Sequence, residues 1–287
     1  MKDEVKCRFC KSNGVVKRGF RKTENRGKIQ IYFCKNCKKR FTENDGFLRM
    51  RNSPDKVTQA IHMYFSGISL RKSQEHLGVF YNHNASHMSV LRWIQKYMTQ
   101  IGKFTDTLNL KVGNELMSDE MEDRVKGKQC WFVDVMDTKT RYMVSSDFMR
   151  SRTIQNLTNV LANAKRKTGE QVTIITTDGL QGYPRVLRKA FGLNKKLKTS
   201  KITHNIVIAK ERGFNHKIER LHNSVRERIK VMRGFGNLQS AKSIMKGYEI
   251  YYNFLRKHQA INKYPYELAI DLKLGKNKLL DLIKFSV

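Results

Sequence analysis

Four of the five cysteines form two matched pairs near the start of the chain. The pairs are Cys7-x-x-Cys10 and Cys34-x-x-Cys37, with 23 residues between them. Two intervening residues let both thiolates of one tight turn reach the same ion, and two such turns complete a tetrahedral four-sulfur site. The spacing therefore predicts a structural Zn²⁺ site, the alternative being four unrelated thiols. Cys130 lies apart in the apolar run QCWFV and is predicted to be a buried strand residue.

A second group of residues that could form a functional site is acidic. Residues 111–150 carry eight acidic and seven basic side chains, the only sizeable stretch without a positive balance. Five of these acids fall within nine residues: Glu115, Asp119, Glu120, Glu122 and Asp123. An acidic cluster in an otherwise basic chain predicts a site for divalent cations. The alternative is a solvated hairpin edge whose charges discourage aggregation.

Two further acids occur where an active site could use them. Asp178 ends the β-branched run VTIITT, as an acid at the carboxyl end of a buried parallel strand would. Glu219 borders the apolar stripe of the amphipathic segment FNHKIERLHNSVRERIKVMRGF, and it can point along a sheet edge. On an arginine-rich helix such a Glu is also an ordinary salt-bridge partner. The rival carboxylates are Asp134, Asp137 and Asp147.

The amino-acid composition limits the classes of protein to which the chain can belong. The chain has 287 residues, with 57 Lys plus Arg against 25 Asp plus Glu, a formal net charge of +32. An excess of that size predicts a polyanionic partner. The 39% hydrophobic and 10% aromatic fractions support packed cores and exclude a disordered basic tail. The chain has no run as long as a membrane helix and no apolar signal-peptide core, so we expect a soluble, cytoplasmic protein without a membrane partner.

The elements that position these residues follow from periodicity. The segment between the cysteine pairs has the alternating apolar residues and central glycines of a hairpin, which predicts a zinc ribbon over residues 1–48. Residues 1–53 carry 16 basic and 5 acidic side chains. A ribbon this basic is predicted to contact DNA, although purely structural ribbons are common.

Three short helices over residues 49–105 predict a helix-turn-helix DNA-binding domain, with a plain helical linker as the alternative. The first helix should begin at Ser53-Pro54, and the second should end at Gly78. Trp93 is predicted to lie in the core. The third helix would offer these residues to a DNA groove: Ser86, His87, Ser89, Arg92, Gln95 and Lys96.

From residue 110 to 235 the pattern changes to strands. ELMSDEM, KQCWFVDVM and RYMVSSDF predict three antiparallel strands joined by turns at 125–128 and 137–140. A helix over TIQNLTNVLANAKRKTG and the buried strand VTIITT follow. This order is typical of an α/β, ribonuclease-H-like core with a mixed sheet. Residues 236–287 predict a C-terminal helical segment.

Four blocks carry a resemblance to a known family. SDE at Asp119, TTDG at Asp178, NHKIERLHNSVRERIK at Glu219 and the later YNFLRKHQAINKYPYELA resemble the signature blocks of prokaryotic insertion-sequence DDE transposases. Those enzymes belong to the retroviral-integrase superfamily and have a ribonuclease-H-like catalytic core. The two Asp are separated by 58 residues, and 40 residues separate Asp178 from Glu219. The resemblance extends over nearly the whole chain, because members often carry an N-terminal zinc ribbon and helix-turn-helix.

The resemblance implies an activity, cofactors and partners. Asp119, Asp178 and Glu219 would be catalytic and hold two Mg²⁺ or Mn²⁺ ions per active site, with Asp119 bridging them. Water would be the first nucleophile and the freed 3′-hydroxyl the second. The partners would be double-stranded DNA, both the terminal inverted repeats and the target. Pairing two element ends implies a homo-oligomer, at least a dimer on DNA, associated with the nucleoid.

Other residues near the predicted site are basic. The helix of Glu219 carries four cations predicted to hold phosphates: Arg226, Arg228, Lys230 and Arg233. Three histidines are predicted to be packing or phosphate-contacting residues, not metal ligands: His204, His216 and His222. Two other functions stay open. One is a non-enzymatic zinc-ribbon and helix-turn-helix regulator derived from a transposase, and the other is a structure-selective nuclease of the same fold.

Overall fold

The computed structural model describes residues 5–24, 26–81, 85–196, 198–207, 216–232 and 234–287. The chain begins with three strands: β1 (Val15–Thr23), β2 (Gly27–Cys34) and β3 (Arg40–Thr42). They form an antiparallel sheet in the order β1-β2-β3, in which β1 and β2 are the hairpin predicted between the cysteine pairs. The buried apolar cluster of this sheet is small: Cys7, Tyr32, Cys34 and Phe41. Such a sheet has little hydrophobic core of its own.

Three helices follow: α1 (Pro54–Phe65), α2 (Leu70–Tyr81) and α3 (His87–Thr105). The side chain of Ser53 accepts a hydrogen bond from the Lys56 N–H at 3.4 Å, which confirms the predicted helix start. Trp93 is buried, as predicted. The prediction that the second helix ends at Gly78 is wrong.

Helix α2 continues past Gly78 for a physical reason. A glycine inside a helix costs only about 1 kcal/mol relative to alanine. Leu77 is fully buried, and the rings of His76 and Phe80 lie 4.5 Å apart at i,i+4 spacing. These contacts on both sides of the glycine are sufficient to carry the helix to Tyr81.

Beyond α3 the described strands form a larger sheet and a small hairpin. The strands are β4 (Glu115–Val125), β5 (Lys128–Asp137), β6 (Met143–Met149), β7 (Ile174–Thr177), β8 (Leu193–Asn194), β9 (Thr199–Ser200) and β10 (Thr203–Ile206). The five-stranded sheet has the order β10-β7-β4-β5-β6, while β8 pairs with β9. Strands β4, β5 and β6 are antiparallel, and β7 is parallel to β4. The predicted three-strand meander followed by a buried parallel strand is confirmed, and β10 was not predicted.

Helices cover this sheet and connect it to α3. They are α4 (Ile154–Thr168), α5 (Tyr183–Phe191), α6 (His216–Met232), α7 (Leu238–Ile250), α8 (Pro265–Ala269) and α9 (Lys278–Phe285). A π-helical turn over Tyr251–Leu255 extends α7. Helix α7 packs against both α3 and β6, and α6 packs on β4. Among the described helices, none combines the length and apolarity that crossing a bilayer requires.

One continuous hydrophobic core runs from Phe47 through α1, α3, the five-stranded sheet and α9. A buried ionic network reinforces it where α3 ends. The ammonium of Lys167 lies 2.7 Å from Asp106, and that of Lys246 lies 2.9 Å from Asp106 and 2.7 Å from Glu249. Because buried charges are stable only when paired, this network ties the end of α3 to α4 and α7. The helical region and the sheet are thus packed as one unit.

Candidate metal centres and nucleic-acid interface

The four paired cysteines converge at one end of the small sheet. Their sulfur atoms all lie within 4.8 Å of one another. The Sγ atoms of Cys7 and Cys37 are 3.6 Å apart, and those of Cys10 and Cys34 are 3.5 Å apart. Sulfurs at the corners of a tetrahedral Zn²⁺ site are about 3.8 Å apart, whereas a disulfide needs about 2.05 Å. The cluster therefore fits a four-thiolate metal site and contains no disulfide.

The backbone of the two cysteine turns is alike. The residue after each pair, Lys11 and Lys38, has a left-handed conformation, with φ of 60° and 56°. In the first turn the Lys11 N–H donates to the Cys7 carbonyl at 2.9 Å. A left-handed residue reverses the chain within the turn, so that both sulfurs of a pair point to the same side. The short C-x-x-C spacing produces the geometry locally.

The carboxylate cluster forms where β4 and β7 lie side by side. Met117 of β4 is paired with Thr176 of β7 in the parallel register, so Asp119 lies level with Asp178 just beyond the end of β7. Ligand oxygens of Asp119, Glu120 and Asp178 lie within 4.8 Å of one another. Oxygens on opposite sides of one Mg²⁺ are about 4.2 Å apart, so small side-chain rotations would let them share an ion. The donor set fits a divalent cation.

The two adjacent acids of β4 belong to different faces of the sheet. Successive strand residues alternate in direction. Glu120 shares its side with Ser118, and its Oε1 accepts a hydrogen bond of 2.5 Å from the Tyr183 hydroxyl of α5. Its Oε2 lies 3.5 Å from the Arg152 guanidinium. Both oxygens of Glu120 thus already have protein partners, whereas Asp119 faces α6.

On the opposite side His222 of α6 connects two carboxylates. Asp119 and Asp134 are cross-strand partners in β4 and β5. The Nε2 atom of His222 lies 2.6 Å from Asp134 Oδ1, and its Nδ1 lies 3.6 Å from Asp119 Oδ2. Asp134 is completely buried, and its second oxygen has no hydrogen-bond partner within the described residues. The buried pair anchors α6 beside the first acid.

The electrostatics of this region favour a bound cation. Burial raises the pKa of Asp119 to about 6; the charges of Asp134 and Asp178 add to the rise, and His222 opposes it. Burial likewise raises the pKa of Glu120 to about 7, against the Tyr183 hydrogen bond. Raised carboxyl pKa values mean that negative charge is poorly compensated here, and a divalent cation compensates it.

Two opposing effects act on the pKa of His222. Burial lowers its pKa, but the negative charges of Asp134 and Asp119 outweigh burial, so the pKa of His222 is raised overall. The imidazolium form is therefore favoured between the two carboxylates, where it attracts both. The link between His222 and Asp134 could not be predicted from the sequence, because nothing in the local pattern pairs residues 88 positions apart.

Glu219 lies on α6 one turn before His222. It is half-buried, and it is not among the carboxylates that come within 4.8 Å of one another in the described chain. Residues three apart on a helix lie on the same side, so the His222 contact with Asp119 brings Glu219 to the Asp119 side of the sheet. Glu120 belongs to the cluster of the described carboxylates, whereas Glu219 lies on the helix beside it.

The rival carboxylates have structural partners. Asp137 accepts hydrogen bonds from the Gly113 N–H at 3.0 Å and the Thr140 N–H at 2.8 Å, which closes the turn after β5. Asp147 on β6 forms an ion pair with Lys242 at 3.1 Å. Neither lies in the carboxylate cluster of the described residues. Tyr183 and Arg152, which hold Glu120, carried no recognisable signal in the sequence.

The residues predicted to read DNA lie at the accessible end of α3. Ser86 caps the helix by accepting from the Ser89 N–H at 3.3 Å. The remaining side chains are exposed or half-buried: His87, Arg92, Gln95 and Lys96. The exposed helical surface of α3 is thus available to a partner.

The cations predicted on the helix of Glu219 divide into two kinds. Arg226 and Lys230 of α6 are exposed, and Arg233 lies outside the described residues. Arg228 differs from the prediction: it is buried, its guanidinium lies 3.7 Å from the centre of the Tyr64 ring, and it donates to the Ile68 carbonyl at 3.3 Å. It lies on the buried side of α6 with Val225, because residues three apart share a face. Arg228 joins α6 to α1 and does not face solvent.

Comparison with known proteins defines the class of the site. The model of the DDE domain of IS240-type transposases matches residues 114–259, just over half of the chain. The chain therefore belongs to the DDE transposases, and its DDE domain is of the IS240 type. The matched segment begins one residue before β4 and includes Asp119, Asp178 and Glu219.

Two solved structures that contain integrases are among those similar to the chain. The magnesium complex of the HTLV-2 integrase catalytic core domain, in its trimeric form, is 14% identical, covers 55% of this chain and 97% of that chain, and has a TM-score of 0.40. The simian T-cell lymphotropic virus intasome in complex with the PP2A regulatory subunit B56 gamma is 14% identical, covers 76% of this chain and 74% of that chain, and has a TM-score of 0.42. No curated protein sequence matches the chain.

Proposed function

We propose that this protein binds the terminal inverted repeats of its insertion sequence and catalyses metal-dependent DNA strand cleavage and strand transfer. One observation carries the proposal: Asp119 and Asp178, which have 58 residues between them in a DDE transposase sequence, have oxygens within 4.8 Å of each other. The net charge of +32 supports a polyanionic substrate.

Asp119, Asp178 and Glu219 are proposed to hold two Mg²⁺ or Mn²⁺ ions per active site. When bound, such ions activate the attacking oxygen and stabilise the leaving oxygen of an in-line phosphoryl displacement. Asp119 would be the central ligand, because its carboxylate lies close to that of Asp178 on one side and to His222 of α6 on the other. The attacking group would be water in cleavage and the freed 3′-hydroxyl in strand transfer.

Glu219 is favoured over Glu120 as the third ligand. Both oxygens of Glu120 already contact protein groups, Tyr183 and Arg152, so an ion bound by Glu120 would have to share these oxygens with them. Strand alternation also directs Glu120 away from the face that Asp119 shares with α6. Glu219 lies on the Asp119 side, one helical turn from His222. Glu120 is proposed to position β4 through its contacts with α5.

The remaining surfaces are proposed to hold DNA. The exposed end of α3 would read the inverted repeats through base edges and phosphates. Arg226 and Lys230, exposed on the helix of Glu219, would hold phosphates close to the catalytic acids. Because α3 is packed into the same core as the catalytic sheet, the distance between the sequence read and the phosphate cut would be constant.

The four-cysteine cluster is proposed to hold a structural Zn²⁺ that folds the ribbon. The ribbon surface is basic and would add to DNA affinity. Joining two element ends requires two active sites, so we propose at least a dimer on DNA. A prokaryotic enzyme with this substrate would work in the cytoplasm at the nucleoid.

The test uses the full chain and a supercoiled plasmid carrying the DNA that flanks the reading frame. We expect Mg²⁺-dependent nicking and joined products. Asp119→Asn, Asp178→Asn and Glu219→Gln should each abolish both products and retain DNA-end binding. Asp147→Asn is the matched control, because this carboxylate lies on the same sheet but is paired with Lys242, and it should keep activity.

Each contrary outcome identifies another function. Nicks without joined strands would indicate a structure-selective nuclease. Specific end binding without any nicking by the unaltered protein would indicate a DNA-binding regulator. Full activity in one of the three acid variants would remove that residue from the proposed ligand set.

A further inference from the structure

A basic groove lies beside the carboxylate cluster, between α5, the β8–β9 hairpin and β10. Its volume is about 570 Å³. Its lining includes three cations, two hydroxyl residues and a histidine: Arg188, Lys198, Lys201, Thr199, Ser200 and His204. The lining contains no acidic residue. The groove is separate from the DNA-contacting residues proposed on α3 and α6.

The three cations of the groove are free to bind an anion. Arg188, Lys198 and Lys201 are exposed, and within the described residues their side chains make no ion pair or hydrogen bond. Residues 195–201 contain four lysines and no acid. Unpaired cations held close together repel one another, and a bound polyanion relieves that repulsion.

Neutral donors accompany the charges. Thr199 and Ser200 of β9 and Thr203 of β10 contribute hydroxyls to the lining. Lysine, arginine and hydroxyl side chains are the groups that most often contact phosphate and sugar oxygens of DNA. The combination matches a phosphodiester backbone, which needs several cations in a row with hydrogen-bond donors between them.

The inner end of the groove reaches the catalytic region. His204 lines the groove, and its Nε2 lies 2.8 Å from the Thr177 hydroxyl. Thr177 is the last residue of β7 and precedes Asp178. Thr203 and His204 of β10 are paired with Ile174 and Ile175 of β7, so the groove runs along the outer edge of the sheet and ends three residues before Asp178.

We infer that this groove binds the sugar–phosphate backbone of the DNA strand that passes through the active site. The inference rests on the proposed function and adds a binding site to it. Lys198 and Lys201 would each neutralise one phosphate, with Arg188 of α5 on the opposite wall. The groove would hold DNA that continues from the carboxylate cluster along this edge of the sheet.

The β8–β9 hairpin offers a matched control. Lys195 and Lys196 belong to the same hairpin and are exposed, but they do not line the groove. The test pair is Lys198→Ala with Lys201→Ala, and the control pair is Lys195→Ala with Lys196→Ala. Both pairs remove two charges, so an effect of overall charge alone would be equal in the two.

Binding is measured first in the Asp119→Asn background, by fluorescence anisotropy of a labelled DNA duplex at several salt concentrations. Each lost phosphate contact lowers the slope of log affinity against log salt by about 0.9. We expect the test pair to lower the slope by about 1.8, and the control pair by less than half of that. Arg188→Ala, which changes a different element, should lower it by about 0.9. Equal slopes for the test and control pairs would overturn the inference.

Strand transfer is measured second, in proteins with an intact Asp119. The test pair should lose at least tenfold in joined product, and the control pair should stay within twofold. A test pair that joins DNA as well as the control pair would overturn the inference. If the unaltered protein joins no DNA, the proposed function fails, but the binding measurement still decides the groove because it needs no catalysis.

Discussion

The two candidate metal centres of this chain are built in opposite ways. The sulfur centre takes all its ligands from two turns at the ends of one hairpin, and the apolar cluster beneath it has only four buried residues. The carboxylate centre takes Asp119 and Asp178 from strands that meet only in the folded sheet. That sheet belongs to a continuous core extending from Phe47 to Ile283.

This difference indicates where the fold depends on a metal ion and where the metal site depends on the fold. We expect a small sheet with so little core to depend on a bound ion for its stability, because the free energy of metal binding would contribute to folding there. The carboxylate centre already exists as a folded site, and its acids repel one another until a cation binds. Loss of a ligand should therefore remove structure in the ribbon and chemistry in the sheet.

The largest effect is expected from the ribbon. Cys34→Ser should abolish Zn²⁺ binding and unfold the ribbon, because structural Zn²⁺ contributes about 10–16 kcal/mol in small zinc domains. Metal content and limited proteolysis of the first 50 residues measure this. Cys130→Ala is the control: this buried thiol of β5 is not a ligand, so zinc content should be unchanged. An intact, protease-resistant ribbon in the zinc-free Cys34→Ser protein would contradict the expectation that the ribbon needs its ion to fold.

The next effect concerns the third carboxylate. Glu219→Gln should lower the rate of strand joining at least about a thousandfold, because removing one member of a catalytic set costs nearly as much as removing the set. Glu120→Gln should keep the rate within about tenfold and mainly lower the melting temperature, because the Tyr183 and Arg152 contacts weaken. The reverse pattern would make Glu120 the ligand.

A smaller effect is expected from the anchor of α6. His222→Gln should weaken Mg²⁺ activation about ten- to a hundredfold, the usual cost of disturbing a group that orients a metal ligand. Val225→Ala, on the same helix and equally buried, removes packing without touching a carboxylate. It should lower stability and keep the Mg²⁺ dependence of the unaltered protein. If His222→Gln and Val225→Ala had the same dependence of activity on Mg²⁺ concentration, His222 would contribute packing alone.

The smallest effect is a pH dependence confined to the carboxylate centre. Since burial raises the pKa of Asp119 to about 6, the folded protein binds this proton more tightly than the unfolded chain. The contribution of Asp119 to stability without added Mg²⁺ should therefore fall as pH rises from about 4 to about 6. Mg²⁺ affinity should rise over the same range, because the ligand must lose its proton. Calorimetric titrations at several pH values check this, and Asp119→Asn should flatten both trends.

Several features were predictable because they are local. The C-x-x-C spacing, the Ser53-Pro54 helix start and the β-branched strand before Asp178 each depend on neighbouring residues. Features that depend on distant contacts were missed. Arg228 lies against Tyr64, and α2 continues past Gly78, because packing outweighs the preference of a single residue. The histidine that connects Asp119 to Asp134 comes from a helix about a hundred residues later in the chain.

By itself, the sequence predicted the four-cysteine cluster and the succession of β4, β5, β6 and β7 along the chain, and its net charge indicates a polyanionic partner. These depend on short spacing, periodicity and summed charge, which need no long-range contact. Only the tertiary structure decided which acids lie together, because parallel pairing of β4 with β7 sets Asp119 level with Asp178. It also decided which basic residues are exposed, since Arg228 is buried against Tyr64 whereas Lys195, Lys196 and Lys198 of the β8–β9 hairpin are exposed. The sequence specifies the charged residues, whereas tertiary packing determines which residues lie next to each of them.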